Sequence, residues 1–315
     1  MHPFVALMMV QVQDHAPAPP AGQEPLNIGD LIINHVANSS LEHPLIHLPK
    51  IFGIDMSVTK HVFMLWLVAL LLLVVVTTLV RRFVRQSRLV PAGAMGPLEV
   101  GVEFIRDGVV VPSVGTKWAK TFTPFLLTMF LFILACNAIG LVPIFDVLGL
   151  LNHYVLHTDH DSFLSRLVHG GTTATGNFNV TAGLAVITFF AIVIAGIRAH
   201  GFVGHWKNLA SHGIALVPLE ILGMFVRPFA LTMRLAANMT GGHIAILALL
   251  SFVFIFNDLT GTWLAGAGVG LVFSVPVAAA ISGLEIIIVL VQAYVFTLLS
   301  AVFIGMATAS HHSHH

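Results

Sequence analysis

Apolar residues along this chain gather into long runs with short polar breaks, and the length of each run decides what it can form. Val62 to Val80 (VFMLWLVALLLLVVVTTLV) carries no charge and is long enough to cross about 30 Å of hydrocarbon as a helix. Thr121 to Phe145 and Phe178 to Ile197 are two more uncharged stretches of spanning length. After Pro218 the pattern changes. One apolar region runs to Phe256 but carries Glu220, Arg227, Arg234 and His243, and a last one, from about Leu271 to Ala309, carries Glu285. As helices these two would each reach about 58 Å, so neither stands upright in the bilayer and both must tilt or bend. Pro228 offers a bend in the first, and Pro276 marks the expected start of ordered helix in the second. The fold class expected is an all-α membrane protein of about five transmembrane helices, the last two long, strongly tilted and paired as an antiparallel hairpin. The expected division is an external N-terminal tail and amphipathic segment at 1–56, a membrane domain at 57–310 and a His-rich C-terminal tail at 311–315.

Basic residues orient the spans. Arg81, Arg82, Arg85, Arg88, Arg106, Lys117, Lys120, Arg198 and Lys207 fall on one side, and Lys50, Lys60 and Arg166 on the other. The richer side is read as cytoplasmic, with the N-terminus outside and the C-terminus inside. The tail starts with a short apolar run, Pro3 to Val10, and continues into APAPPAG, a linker composition. No Lys or Arg precedes that run, which argues against a secretory leader.

Composition agrees with the pattern and narrows it. Of 315 residues, 57% are hydrophobic and 9% charged, against about a quarter charged in an ordinary soluble domain. A water-soluble enzyme is therefore excluded as a whole-chain reading. Net charge is +0, so no global field attracts nucleic acid. One cysteine, Cys136, permits no internal disulfide and no cysteine-based zinc site. Eighteen histidines raise the question of metal. His153, His157 and His160 lie with Asp159 and Asp161, and His35, His43 and His47 near the N-terminus, but no H-E-x-x-H occurs and Pro44 interrupts the second group. These are read as solvated loop histidines; no metal or cofactor is expected.

The charges inside the apolar runs carry the functional information, because ionisable groups in hydrocarbon are costly. Arg227 is read as snorkelling to the cytoplasmic interface. Arg234 lies about 10 Å deeper along the helix and stays protonated at any working pH; a structural pair with Glu220 or Glu285 is the bland alternative. At 100° per residue Glu220, Arg234 and Asn238 share a face, and His243 points the opposite way. Pairing Arg234 with Gln292 centres a hairpin at residue 263, and pairing His243 with Glu285 centres it at 264. Both centres fall in the turn-like stretch NDLTGTWLAGAGVG (Asn257–Gly270). One register thus sets two polar pairs level. A His–Glu pair can hold and pass protons near neutral pH, and Glu220 can do the same on the inner side. Arg234 between them repels a proton moving straight through, so a mobile carboxylate on a partner must carry it past.

The stretch Pro218–Ile244 (PLEILGMFVRPFALTMRLAANMTGGHI) and the stretch Gly283–Ala307 (GLEIIIVLVQAYVFTLLSAVFIGMA) resemble subunit a of the rotary F-type ATP synthase, with Arg-Leu-x-x-Asn-Met from Arg234 and the distant Gln292 as the specific signature. Weaker likeness runs through CNAIGLVPIFD (Cys136–Asp146) and NFNVTAG (Asn177–Gly183), so the resemblance covers roughly residues 60–308. It implies that Arg234 is the stator charge facing the carboxylates of a c-subunit ring, with Gln292 close to it. It also implies that Asn238 lines the outer half-channel and Glu220 the inner one. His243 and Glu285 match a pair whose residue types are exchanged in some members. Gly140 stands where some relatives carry aspartate. The resemblance further implies b-type peripheral stalk subunits, a bacterial inner membrane and no nucleotide chemistry in this chain, which lacks a G-x-x-x-x-G-K-[ST] loop. The competing reading is a stand-alone secondary transporter or proton channel in which Arg234 grips an anionic substrate. The chain shows no paired helix interruptions of the kind such carriers use. An intramembrane protease would need a dyad or metal motif, and none is evident.

Overall fold

The computed structural model describes residues 57–85, 93, 95–141, 174–204 and 217–309. The tail through residue 56, the histidine-bearing stretch 142–173 and the C-terminal HHSHH lie outside the described residues, and with them the expected amphipathic segment and the loop histidines. What is described is helical, with no extended strand: α1 Lys60–Arg85, α2 Met95–Ile105, α3 Val111–Val114, α4 Thr116–Leu141, α5 Phe178–His200, α6 Val217–Thr260, α7 Trp263–Val269 and α8 Val275–Thr308. Five helices are long and apolar enough to cross a membrane, the last running from Gly266 to Thr308.

Local chemistry explains the breaks. Gly115, Gly201 and Gly261 have positive φ, and they follow α3, α5 and α6, where a left-handed residue lets the chain leave a helix at little cost. Ordered helix in the last segment begins at Trp263, well before Pro276, so the expectation that Pro276 starts it needs correction. A π-helical turn, Gly270–Ser274, joins α7 to α8, and the N–H of Val275 reaches back to the carbonyl of Gly270. The same device, Arg106–Val110 with the N–H of Val111 bonded to Arg106, precedes Pro112. Proline has no N–H and its ring crowds the carbonyl four residues back. Those carbonyls belong to Gly108 and Val272, and the wider turn lets each helix run into its proline. α6 likewise continues through Pro228.

Hydroxyl groups within the apolar helices donate to carbonyls one turn back. Thr188 bonds Leu184 at 3.1 Å, Ser251 bonds Leu247 at 2.8 Å and Thr297 bonds Ala293 at 2.8 Å. That arrangement satisfies them without water, as a hydrocarbon environment demands.

Two compact units emerge. One comprises the described parts of Met1–Leu65, Asn137–Asn177 and Ala237–Ile288; the other comprises Trp66–Cys136, Phe178–Ala236 and Val289–His315. Within the first unit α6 meets α7 and α8 as a hairpin. A Cβ on Gly266 would lie 2.6 Å from the carbonyl oxygen of Val253, and one on Gly270 would lie 2.9 Å from its Cγ2. The GAGVG string is thus what lets the arms touch. Leu247, Leu250 and Ala278 form the core just beyond, and Phe252 meets Phe273 edge to face. These pairs centre the turn near residues 260–264, the register expected from the polar residues.

The second unit holds the larger core, in which Ile105, Val109, Leu126, Ile133, Leu235 and Ile304 are fully buried. Gly305 sits so close to the carbonyl of Ser113 that a Cβ there would overlap it, which seats the end of α8 against α3. Phe104 packs on Tyr294 at 5.6 Å between centroids. The guanidinium of Arg227 lies 5.3 Å over the Phe303 ring. A cation–π contact within the protein, beyond the interfacial snorkelling expected from the sequence, therefore holds this arginine.

Candidate functional site

α6 carries two faces. Leu231, Thr232, Leu235, Ala236 and Met239 are buried, while Met233, Arg234, Ala237, Asn238 and Gly241 are exposed. The spacing is the helical repeat, so the sequence itself turns Arg234 away from its own core. Arg234 and Asn238, four apart, lie together on the exposed side. Around them that side is apolar, with Phe225, Phe229, Met233 and Ile244 exposed. Arg234 forms no ion pair with a described acidic residue; the described ion pair is Arg106–Asp107 at 2.8 Å. Glu220 lies on the first turn of α6, but its side chain is outside the described residues.

α8 supplies the matching positions. Gln292 is 5% exposed and lies beside Ala293, which shares the core of the second unit with Leu235, the neighbour of Arg234. Leu235 and Ala293, the chain neighbours of Arg234 and Gln292, thus belong to one core. Leu284, Ile286, Ile287, Leu290 and Val291 make the adjoining stretch of α8 apolar and exposed.

In the first unit Glu285 is 8% exposed, and its carboxylate lies against Gly242. His243, next along α6, is half-buried, and its Nε2 is buried without a hydrogen-bond partner among the described residues. The structure thus sets His243 and Glu285 level, as expected, with no hydrogen bond joining them. Sequence reasoning missed Gly242. The Gly241–Gly242 pair in mid-helix was the available signal, because helix interiors disfavour glycine unless something approaches closely. A Cβ at 242 would overlap Oε1 of Glu285 and lie 3.0 Å from Cδ and 3.2 Å from Cγ. Only a flexible side chain has to give way. Gly242→Ala is expected to leave folding and assembly intact while lowering proton flux by on the order of 10-fold through displacement of Glu285. Flux through reconstituted complexes, beside immunoblots for assembly, checks this; unchanged flux would mean that the position of Glu285 is immaterial.

Also missed was the polar chemistry that fixes this stretch of α6. Thr240 donates to the carbonyl of Gly176 at 3.2 Å, and Thr175 donates to Oδ1 of Asn137 at 2.6 Å. Asn137 and Thr175 are fully buried. Gly140 is buried in the last turn of α4, and Cys136 is a buried free thiol. Among the described residues no three His, Cys, Asp or Glu side chains group to hold a metal ion.

Comparison with known proteins places these helices in a lineage. The family model described as ATP synthase A chain matches residues 62–305. ATP synthase subunit a 2 of Chlorobium luteolum is 41% identical over 307 residues, covering 93% of this chain and 80% of that protein. ATP synthase subunit a of Chloroherpeton thalassium is 41% identical over 278 residues, 86% of this chain and 72% of that one. ATP synthase subunit a of Anaeromyxobacter dehalogenans is 37% identical over 316 residues, 92% and 73% respectively.

Proposed function

We infer, for a chain that belongs to the ATP synthase A chain family, that Arg234 is the fixed charge against which a rotor of c subunits turns. As a family member the chain is an integral membrane subunit of the ATP synthase complex and is not catalytic on its own. The observation that carries the finer reading is an arginine, with Asn238 beside it, on an exposed and mostly apolar face, with no described carboxylate paired to it. An arginine at the centre of a membrane helix costs about 2.5–3.5 kcal/mol on insertion scales. A partner's carboxylate is the natural recipient of that charge.

The mechanism is electrostatic. Arg234 attracts the ionised carboxylate of a c subunit and favours release of its proton into one half-channel. The other half-channel reprotonates the next ionised carboxylate, which, once neutral, can rotate into lipid. His243, Glu285 and Asn238 serve the outer half-channel, Gln292 sits beside Arg234, and Glu220 serves the inner one. Each elementary charge crossing the membrane is worth about 2.3 kcal/mol per 100 mV, and the two offset paths let that work turn the ring. b-type peripheral stalk subunits hold this chain still. The setting is a bacterial inner membrane, with the N-terminus outside and the C-terminus cytoplasmic.

Cross-linking tests the placement. Cysteines at Met233 on α6 and Ile287 on α8 are expected to form disulfides with cysteines on the small two-helix rotor subunit, and Leu235→Cys is not. Cross-links from Leu235 in the absence of any from Met233 or Ile287 would assign the rotor to another face.

A further inference from the structure

We propose that His61 is a proton relay at the outer end of the path to His243 and Glu285, with Asn137 and Thr175 lining the passage between. The inference rests on the half-channel reading above and extends it to residues that reading does not use. His61, in the first turn of α1, is 3% exposed, and neither ring nitrogen has a hydrogen-bond partner among the described residues. Its chain neighbour Lys60, at 2% exposed, is buried with it. A purely structural histidine is normally tied down by at least one ring nitrogen. An imidazole buried with both nitrogens open has the donor and the acceptor that passing a proton through the ring requires.

The surroundings connect it to His243 and Glu285, and all of them belong to one compact unit. Met64, one turn along the same face of α1, packs with Ala174. Thr175 follows and bonds Asn137, whose Nδ2 is buried and has no hydrogen-bond partner among the described residues. Gly176 comes next, and its carbonyl accepts from Thr240 on α6. Two residues further along α6 is Gly242, against which the Glu285 carboxylate packs, and then His243, whose Nε2 has no partner among the described residues. Open polar atoms thus recur at His61, Asn137 and His243. Such buried groups are met by ordered water where the site is polar, and a file of water is the medium a relay needs. The transfer balances: one ring nitrogen of His61 takes a proton from outer water, the other releases one toward Asn137, and tautomer exchange resets the ring. The start of α1, the end of α4 and the turn before α5 all fall on the outer side in the proposed orientation.

The test uses the whole complex in membrane vesicles from which the soluble catalytic sector has been stripped, with passive proton conductance as the readout. His61→Ala is expected to lower conductance by on the order of 10-fold at normal assembly, and added free imidazole is expected to restore most of it. A filled variant, His61→Phe, is expected to be as slow and unresponsive to imidazole. Wild-type conductance in His61→Ala overturns the proposal, as does a slow, assembled His61→Ala that imidazole leaves unchanged. Should His61→Ala fail to assemble, His61→Gln keeps a hydrogen-bonding side chain without exchanging protons. Its reduced conductance supports the relay, and wild-type conductance removes it. His243→Ala is measured in parallel. Full conductance in His61→Ala with loss in His243→Ala sinks this inference alone, whereas full conductance in both sinks the half-channel reading.

Discussion

Arg234→Ala is expected to abolish ATP synthesis and ATP-driven proton pumping, by at least about 100-fold, in complexes that still assemble. Assembly survives because the side chain lies on the exposed side of α6, while Leu231, Leu235 and Met239 hold the helix from the other side. Removing it leaves no cavity in the core. What disappears is a permanent positive charge in a region of low dielectric, where its attraction for a carboxylate is far stronger than in water. Arg234→Lys is expected to fail nearly as badly. An ammonium on a flexible stem loses the planar, weakly hydrated, always-charged group that can meet a carboxylate through two parallel hydrogen bonds. Synthesis by inverted vesicles energised with a respiratory substrate, normalised to the amount of assembled complex, measures the effect. Coupled synthesis persisting in Arg234→Ala would remove the stator assignment.

The second large effect concerns His243 and Glu285. Each of His243→Glu and Glu285→His alone is expected to lower proton-coupled synthesis by about 10-fold or more, and the double exchange is expected to lose less than either. Glu285 sits in the niche opened by Gly242, next to His243. His243→Glu places two acids at one level with no base, and Glu285→His places two imidazoles there. Exchanging both restores one of each. The double-mutant cycle isolates the coupling, since groups in contact depart from additivity by more than independent sites do. Losses that simply add would show that the two side chains act separately. No hydrogen bond joins them in this structure, so the cycle also reports whether a bridging water suffices to couple them.

Much of this was legible in the chain because a bilayer imposes few options. Uncharged runs of spanning length can only be helices, and the five long apolar helices follow. The hairpin register was readable for a different reason: Arg234, His243, Glu285 and Gln292 are costly in hydrocarbon, and one turn position reconciles both pairs. The start of the last helix was less readable. Pro276 looks like a boundary, yet a π turn carries the helix across it, and that accommodation depends on backbone register, not on a side-chain pattern. Gly242 escaped notice because a glycine's role is defined by what approaches it, here a carboxylate more than forty positions away in sequence. His61 and Asn137 were hidden similarly. His61 sits at the edge of an apolar run, where a polar residue reads as an interfacial one, and Asn137 is a lone amide inside another; tertiary contacts show both buried.

The most direct measurement is the separation between the Arg234 guanidinium and the nearest c-subunit carboxylate in a structure of the intact complex. The account predicts direct or water-bridged approach, within about 4–6 Å, on the side of α6 that also presents Met233 and Ala237. An Arg234 turned to lipid headgroups, or bound permanently to Glu220 with the ring's carboxylates elsewhere, would contradict it.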